Sequence, residues 1–203
     1  GEHRIEGIGD KHIPWIHNVR NTDLAMGIDD EASVDVFRLF NEDAGREYLS
    51  VQGVDSGFLD QLDLLGISCV ANMLMAIKFA KWFEMDSHDV IVTVATDSRE
   101  MYESRLVELR AERGEFLPLD AAGGYHRYLM GQGIDHVQEL GYHDRKRIHN
   151  LKYFTWVEQQ GKTYDEIQAQ WYDPEYWTAI QALADPIDDL IRRFNERLDA
   201  LPG

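Results

Sequence analysis

The sequence predicts an α/β fold, a partial three-layer sheet with helices on both faces, followed by a mainly helical C-terminal extension. The run Val90-Ile91-Val92-Thr93-Val94-Ala95 is continuous and largely β-branched, the pattern of a strand covered on both faces of a parallel sheet. Just before it, Ile67 to Phe83 is apolar on opposite sides, with Val70, Met73, Leu74 and Ile77 against Met75, Phe79 and Trp82, as in a helix buried between layers. Helix, buried strand and helix in succession is α/β architecture. From Tyr125 onward the chain turns to aromatic-rich helices with strong start signals. We divide the sequence into an α/β part, residues 1–113, and a helical extension, residues 114–203.

In chain order, the stretch to Ile28 is turn-rich, with Gly7, Gly9, Pro14 and the polar run Asn18 to Asp23, and reads as loop around short extended pieces. Asp29 or Asp30 then caps a helix whose Val34, Phe37, Leu39 and Phe40 turn inward while Glu31, Asp35 and Arg38 meet water. A short helix follows over Ala44 to Val51. Gly66 breaks the chain before the buried helix, and Glu100 to Arg113, with Met101, Leu106 and Leu109 among charges, forms a partly exposed one. Asp173-Pro174 and Asp185-Pro186 each set an N-cap acid before a proline at the first helical position, and Thr163 with Glu166 makes a capping box. At least three helices are expected between Asp144 and Leu201.

Composition excludes several classes. The 203 residues are 44% apolar and 28% charged, enough for a sizeable core. With 37 acidic and 20 basic residues the formal charge is −17, which disfavours nucleic acid and anionic membrane surfaces as partners. No apolar run approaches the ~20 residues that span a bilayer, and the N-terminus lacks a basic-then-apolar leader pattern, so the expectation is a soluble cytoplasmic protein. The single Cys69 excludes an intramolecular disulfide and a multi-cysteine zinc site. The sequence enters at once the dense string Arg4-Ile5-Glu6-Gly7-Ile8-Gly9, which reads as a cut through a longer protein.

Four features compete for a chemical role. The eight histidines lack the paired spacing on one helix face that a metal centre needs, so no metal is expected. Gly7-Ile8-Gly9 lets backbone approach a flat ligand, or simply turns the chain. Gly66-Ile67-Ser68-Cys69 leads into the buried helix, where Ser68 either caps or faces an anion. Thr96-Asp97-Ser98-Arg99-Glu100 sits where the predicted strand ends, the place at which open α/β sheets bind ligands, and the same residues are suited to cap the next helix.

The order of Ile5-Glu6-Gly7-Ile8-Gly9 with Ile13-Pro14, Asp29-Asp30-Glu31-Ala32, Gly66-Ile67-Ser68, and Val90-Ile91-Val92 leading to Thr96-Asp97-Ser98 and Tyr102 resembles the C-terminal half of a pyridoxal-phosphate enzyme. The similarity is to the cysteine synthase and cystathionine β-synthase family, of the tryptophan-synthase β fold, over roughly the first 110 positions. It implies pyridoxal 5'-phosphate as cofactor and β-replacement or β-elimination on a serine- or cysteine-like amino acid as the reaction. Gly7, Ile8 and Gly9 would pass beside the ring, Gly66 and Ser68 would stand behind it, and Ser98 would hydrogen-bond the pyridine nitrogen. Thr96 stands where the family commonly has proline, and Arg99 where glycine is frequent.

The family's Schiff-base lysine, substrate loop and phosphate loop lie in its N-terminal half, and nothing here resembles them. None of Lys11, Lys78, Lys81, Lys146, Lys152 and Lys162 has the family's serine-x-lysine context. The resemblance therefore implies a lysine-bearing N-terminal half as partner, in the same polypeptide or a separate subunit, within a homodimer. A hydroxyl opposite the ring nitrogen, unlike an aspartate, leaves the ring neutral and a weaker electron sink, which favours elimination over transamination. The rival reading is a noncatalytic interaction or regulatory module that binds a partner through its aromatic helical tail. The basic cluster His143-Asp144-Arg145-Lys146-Arg147 in that tail reads as a solvated helix start or as a contact for an anion or acidic surface.

Overall fold

The protein, seen in a computed structural model, is described over residues 4–5, 8–9 and 12–199. It divides into two compact units, one formed by Gly1–Asp10 with Ala25–Gln138 and the other by Lys11–Leu24 with Glu139–Gly203. Residues 114–138, grouped with the extension by sequence, fall in the first unit.

The first unit is helical. Helix α1 (Asp30–Asn41) starts as its composition dictates, with the Asp29 carboxylate accepting the Glu31 amide at 2.9 Å and Asp30 and Glu31 in the first turn favoured by the helix dipole. Its Val34, Val36, Phe37, Leu39 and Phe40 are buried. Helix α2 (Asp43–Val51) follows after Glu42 alone, an elbow so tight that a Cβ on Gly45 would run into the Leu39 carbonyl. The single turn α3 (Ser56–Leu59) is capped by Asp55. Helix α4 (Ile67–Trp82) buries Ile67, Val70, Ala71 and Leu74 against α1. Helices α5 (Glu103–Arg113) and α6 (Pro118–Gly124) complete the packing, and α6 runs on into a π-helical turn, Tyr125–Met130.

A buried ionic group locks the end of α1. Arg38 donates to Glu42 at 2.6 Å, the two side chains being 4% and 5% exposed, while Arg110 reaches the other Glu42 oxygen at 2.8 Å. The guanidinium of Arg38 also donates to the Gly114 carbonyl. On α4, Lys78 is likewise buried, its ammonium donating to the carbonyls of Gly27 and Asp135.

The predicted three-layer α/β sheet is overturned. Among the described residues the strands are β1 (Leu24–Met26) and β2 (Val137–Glu139), which form one two-stranded sheet. The bonds Gly27 N to His136 O and Leu140 N to Asp23 O flank that pairing and make it antiparallel. Val90–Ala95, read from sequence as a buried strand, is neither strand nor helix, and Val90, Val92 and Val94 are 81%, 89% and 66% exposed. The physical reason is that β-branched side chains favour a pleated surface but do not make one: a strand needs a neighbour for its amides and carbonyls. The burial of α4 comes instead from helices and turns.

The second unit carries α7 (Tyr142–Asn150), a π-helical turn Tyr153–Val157, α8 (Tyr164–Tyr172), α9 (Tyr176–Gln181) and α10 (Ala184–Asp199). Lys152 is fully buried and gives its three ammonium hydrogens to the carbonyls of Trp15 and His17, both at 2.8 Å, and to Gln170 Oε1 at 2.6 Å. Burial pushes its pKa down to about 8. The capping box of Thr163 and Glu166 forms at the start of α8. The two Asp-Pro steps behave differently from the sequence expectation. Asp173 closes α8 and its carboxylate accepts the Glu175 amide, so α9 starts only at Tyr176, while Asp185 lies inside the first turn of α10.

Candidate functional site

The N-terminus of α4 gathers two motifs that are distant in sequence. Gly66 is the N-cap, and its amide donates to the Asp97 carbonyl at 3.0 Å. The buried Ser68 hydroxyl lies 2.7 Å from Thr96 Oγ1 and donates to Asp97 Oδ1 at 3.2 Å. Tyr102 donates to Asp97 Oδ2 at 2.6 Å. The Cys69 thiol accepts the Thr96 amide and donates to the Asp97 carbonyl, each at 3.2 Å. A little further along the helix, Asn72 Nδ2 donates to the Val94 carbonyl at 3.1 Å.

These contacts fix how the 94–97 segment runs. Six helical residues from Gly66 to Asn72 advance ~9 Å, and three residues from Asp97 back to Val94 cover ~10 Å only when extended. The segment therefore lies extended and antiparallel to α4. Gly66 is required by packing: a Cβ there would collide with the Asp97 carboxylate and sit 2.6 Å from the Tyr102 ring.

The sequence-predicted residues are placed as follows. Gly66 and Ser68 join the Thr96-Asp97 loop directly. Ser68 does not cap α4 by its side chain. Ser98 is half-buried, with extended backbone, at the N-cap of the 3-10 turn Arg99–Tyr102, and its hydroxyl caps nothing. The Asp97 carboxylate faces Ser68 and Tyr102 rather than the amides of the next helix. Ile8 is half-buried against the core of the first unit, and Gly9 is exposed at φ +77°, a conformation that favours glycine. Gly7 lies outside the described residues, as does Lys11.

The other lysines are committed elsewhere. Lys78 and Lys152 are held by carbonyls as described, Lys81 donates to the Gln132 carbonyl, Lys162 pairs with Glu166, and Lys146 lies over the rings of Trp171 and Tyr172. Lys152, despite its depressed pKa, is closed to a carbonyl substrate by its burial and its three acceptors. Among the described residues no three His, Cys, Asp or Glu side chains converge as a metal site.

For pyridoxal phosphate, the feature that fits is a single hydroxyl, that of Ser98, since Ser68 and Tyr102 are spent on Asp97. Ser98, next in sequence to Asp97, has a hydroxyl not used in capping. The sequence reading missed the inward turn of Asp97 and its tyrosine donor; the signal was the five-residue spacing to Tyr102. The chain matches no family model, and neither the curated proteins nor the solved structures give a match. No single helix among the described residues is long and apolar enough to cross a membrane.

Proposed function

We propose that the chain supplies the lysine-free wall of a pyridoxal-phosphate site, completed by a lysine-bearing partner segment of the same polypeptide or of a second subunit. The observation that carries this reading is the hydrogen-bonded junction of Gly66, Ser68 and Cys69 with Thr96 and Asp97 at the start of α4, which sets the loop that continues into Ser98. The reaction we assign is β-replacement or β-elimination on a serine- or cysteine-like amino acid, carried out in the cytoplasm. When bound, the cofactor supplies the electron sink that such chemistry needs.

This chain's residues divide the work. Ser98 Oγ would hold the pyridine nitrogen of the cofactor through a neutral hydrogen bond. Asp97 accepts from Ser68 and Tyr102, which fixes the loop that presents Ser98. Gly66 keeps that loop against the helix because any side chain would push Asp97 away. The exposed Val90, Val92 and Val94 beside this junction leave apolar surface for the partner segment to cover.

Pyridoxine 5'-phosphate, which has no aldehyde and cannot react with surface lysines, tests the wall directly. Titrated into the 15N-labelled chain, it is expected to shift amides of Gly66 to Cys69 and Thr96 to Arg99, and Ser98→Ala should weaken the effect, a neutral hydrogen bond being worth roughly 0.5–1.5 kcal/mol. Absence of saturable shifts at millimolar ligand, or shifts confined to other residues, would refute the reading.

A further inference from the structure

The second unit contains a cleft of about 560 Å³ lined by Arg20, Tyr142, Arg145, Trp171, Tyr172 and Pro174. We propose that it is a binding site for a flat aromatic or heteroaromatic ring bearing an oxyanion, either carboxylate or phosphate. The volume lies in the range of small-ligand sites. Its wall is built from aromatic faces and guanidinium groups, the combination that recognises a ring by stacking and an oxyanion by forked donors.

The lining is held in place. Arg20 donates to the Trp171 carbonyl at 3.1 Å, and Arg145 donates to the Arg20 carbonyl at 3.4 Å and to Asp23 at 2.7 Å. Tyr142 meets Trp171 edge-on with ring centres 5.7 Å apart. The Lys146 ammonium, 4.7 Å from the centre of the Trp171 ring and 4.3 Å from that of Tyr172, brings a third positive charge to the rings of the lining. Its Nζ is buried with no hydrogen-bond partner, so that charge is uncompensated by any carboxylate at contact distance.

Of the nearby acids, Asp23 is paired with Arg145, Asp144 accepts the Gly141 amide, and Asp173 accepts the Glu175 amide. Tyr142 and Tyr172 are exposed residues, which puts two phenols at the rim of the cleft. In a chain of net charge −17, Arg20, Arg145 and Lys146 bring cations to one aromatic wall.

Phenyl phosphate is the probe, with inorganic phosphate and phenol as the oxyanion and the ring alone. Titrated into the 15N-labelled full chain, phenyl phosphate should give saturable shifts centred on Arg20, Tyr142, Arg145, Trp171 and Tyr172. Each half-probe should bind at least fivefold more weakly, and added salt should weaken phenyl phosphate. Arg145→Gln should cost at least tenfold in affinity. Because Arg145 also braces Asp23 and Arg20, Tyr172→Ala is the second variant: the residue is 63% exposed, so the fold should survive while affinity falls at least fivefold. No saturable shift, shifts centred elsewhere, inorganic phosphate binding as tightly as phenyl phosphate, or unchanged affinity in both variants would overturn the proposal.

Discussion

The centres of the two units are built on opposite plans. The first is mainly apolar, with Val36, Phe37, Leu39, Ile67, Val70 and Leu74 all fully buried, and its buried ions are paired, Arg38 with Glu42, or held by carbonyls, as Lys78 is. The second turns on buried polar groups: Lys152, His149 and Gln170 are at most 1% exposed, surrounded by tryptophan and tyrosine rings. An apolar core gains from removing carbon surface from water and is indifferent to direction. A polar centre gains only when every donor meets an acceptor, so it is directional and exposed to changes of protonation. The apolar centre of the first unit should therefore fail by cavities, and the polar centre of the second by acid or by loss of a single donor.

Leu74→Ala is the sharpest test of the apolar half of that contrast. The side chain is fully buried on α4, so its truncation removes carbon contacts and leaves a cavity, at a cost of about 2–5 kcal/mol. Urea unfolding followed by hydrogen exchange should place that loss in the first unit. A loss below 1 kcal/mol would mean that α4 can collapse onto the space, and the core would not be as close-packed as described.

Acid should act on the other unit. His149 donates from Nε2 to the Ile167 carbonyl at 3.0 Å, yet burial, aided by the charges of Lys152 and Lys146, pushes its pKa from 6.5 down to about 4. The unfolded chain therefore binds a proton at higher pH than the folded one, and stability present above pH 6.5 is lost as the pH falls towards 4. The full shift corresponds to about 3 kcal/mol. Melting the second unit between pH 7 and 4 should show this slope, and His149→Gln, which keeps a donor for Ile167, should flatten it. An equal acid slope in His149→Gln would assign the sensitivity to other groups.

The same contrast explains what could be read from the sequence. Helix α1, with its Asp29 cap, and α4, with its apolar residues at helical spacing, are visible because period and cap are local properties. The sheet was misjudged because Val90 to Ala95 has the composition of a strand, while pairing depends on another strand that the run itself does not specify. The resemblance singles out Gly66-Ile67-Ser68 and Thr96-Asp97-Ser98 separately, and nothing in either motif specifies that Ser68 and Asp97 meet. The turn of Asp97 onto Tyr102 is likewise unmarked, since either side-chain direction suits a capping acid. No local pattern marks Lys152 as buried, because its three acceptors come from Trp15, His17 and Gln170.

Lys152→Met sharpens the polar half of the comparison. Methionine fills similar space but withdraws three donors, stranding two carbonyls and the Gln170 oxygen. The expected cost is about 1–3 kcal/mol for the unsatisfied groups, confined to the second unit. A neutral or stabilising result, measured by denaturant unfolding at pH 7, would show that water reaches those acceptors and that the centre is less dry than its burial indicates.

The smallest effect should come from α10. Ile187, Leu190, Ile191 and Phe194 form one apolar side of this helix, yet they are 48%, 58%, 52% and 61% exposed. Local terms hold the helix: Asp185 in its first turn suits the dipole, and Arg192 pairs with Asp189 at 2.8 Å. A side chain already half in water has little burial to lose, so Leu190→Ala should change stability by less than about 0.5 kcal/mol, the helix preference of alanine offsetting part of the lost contact. Dilution separates this expectation from its opposite. If the cost exceeds 1 kcal/mol at high protein concentration and disappears on dilution, the apolar side of α10 is covered by a second copy, and α10 then belongs with the apolar core rather than with the polar unit that carries it.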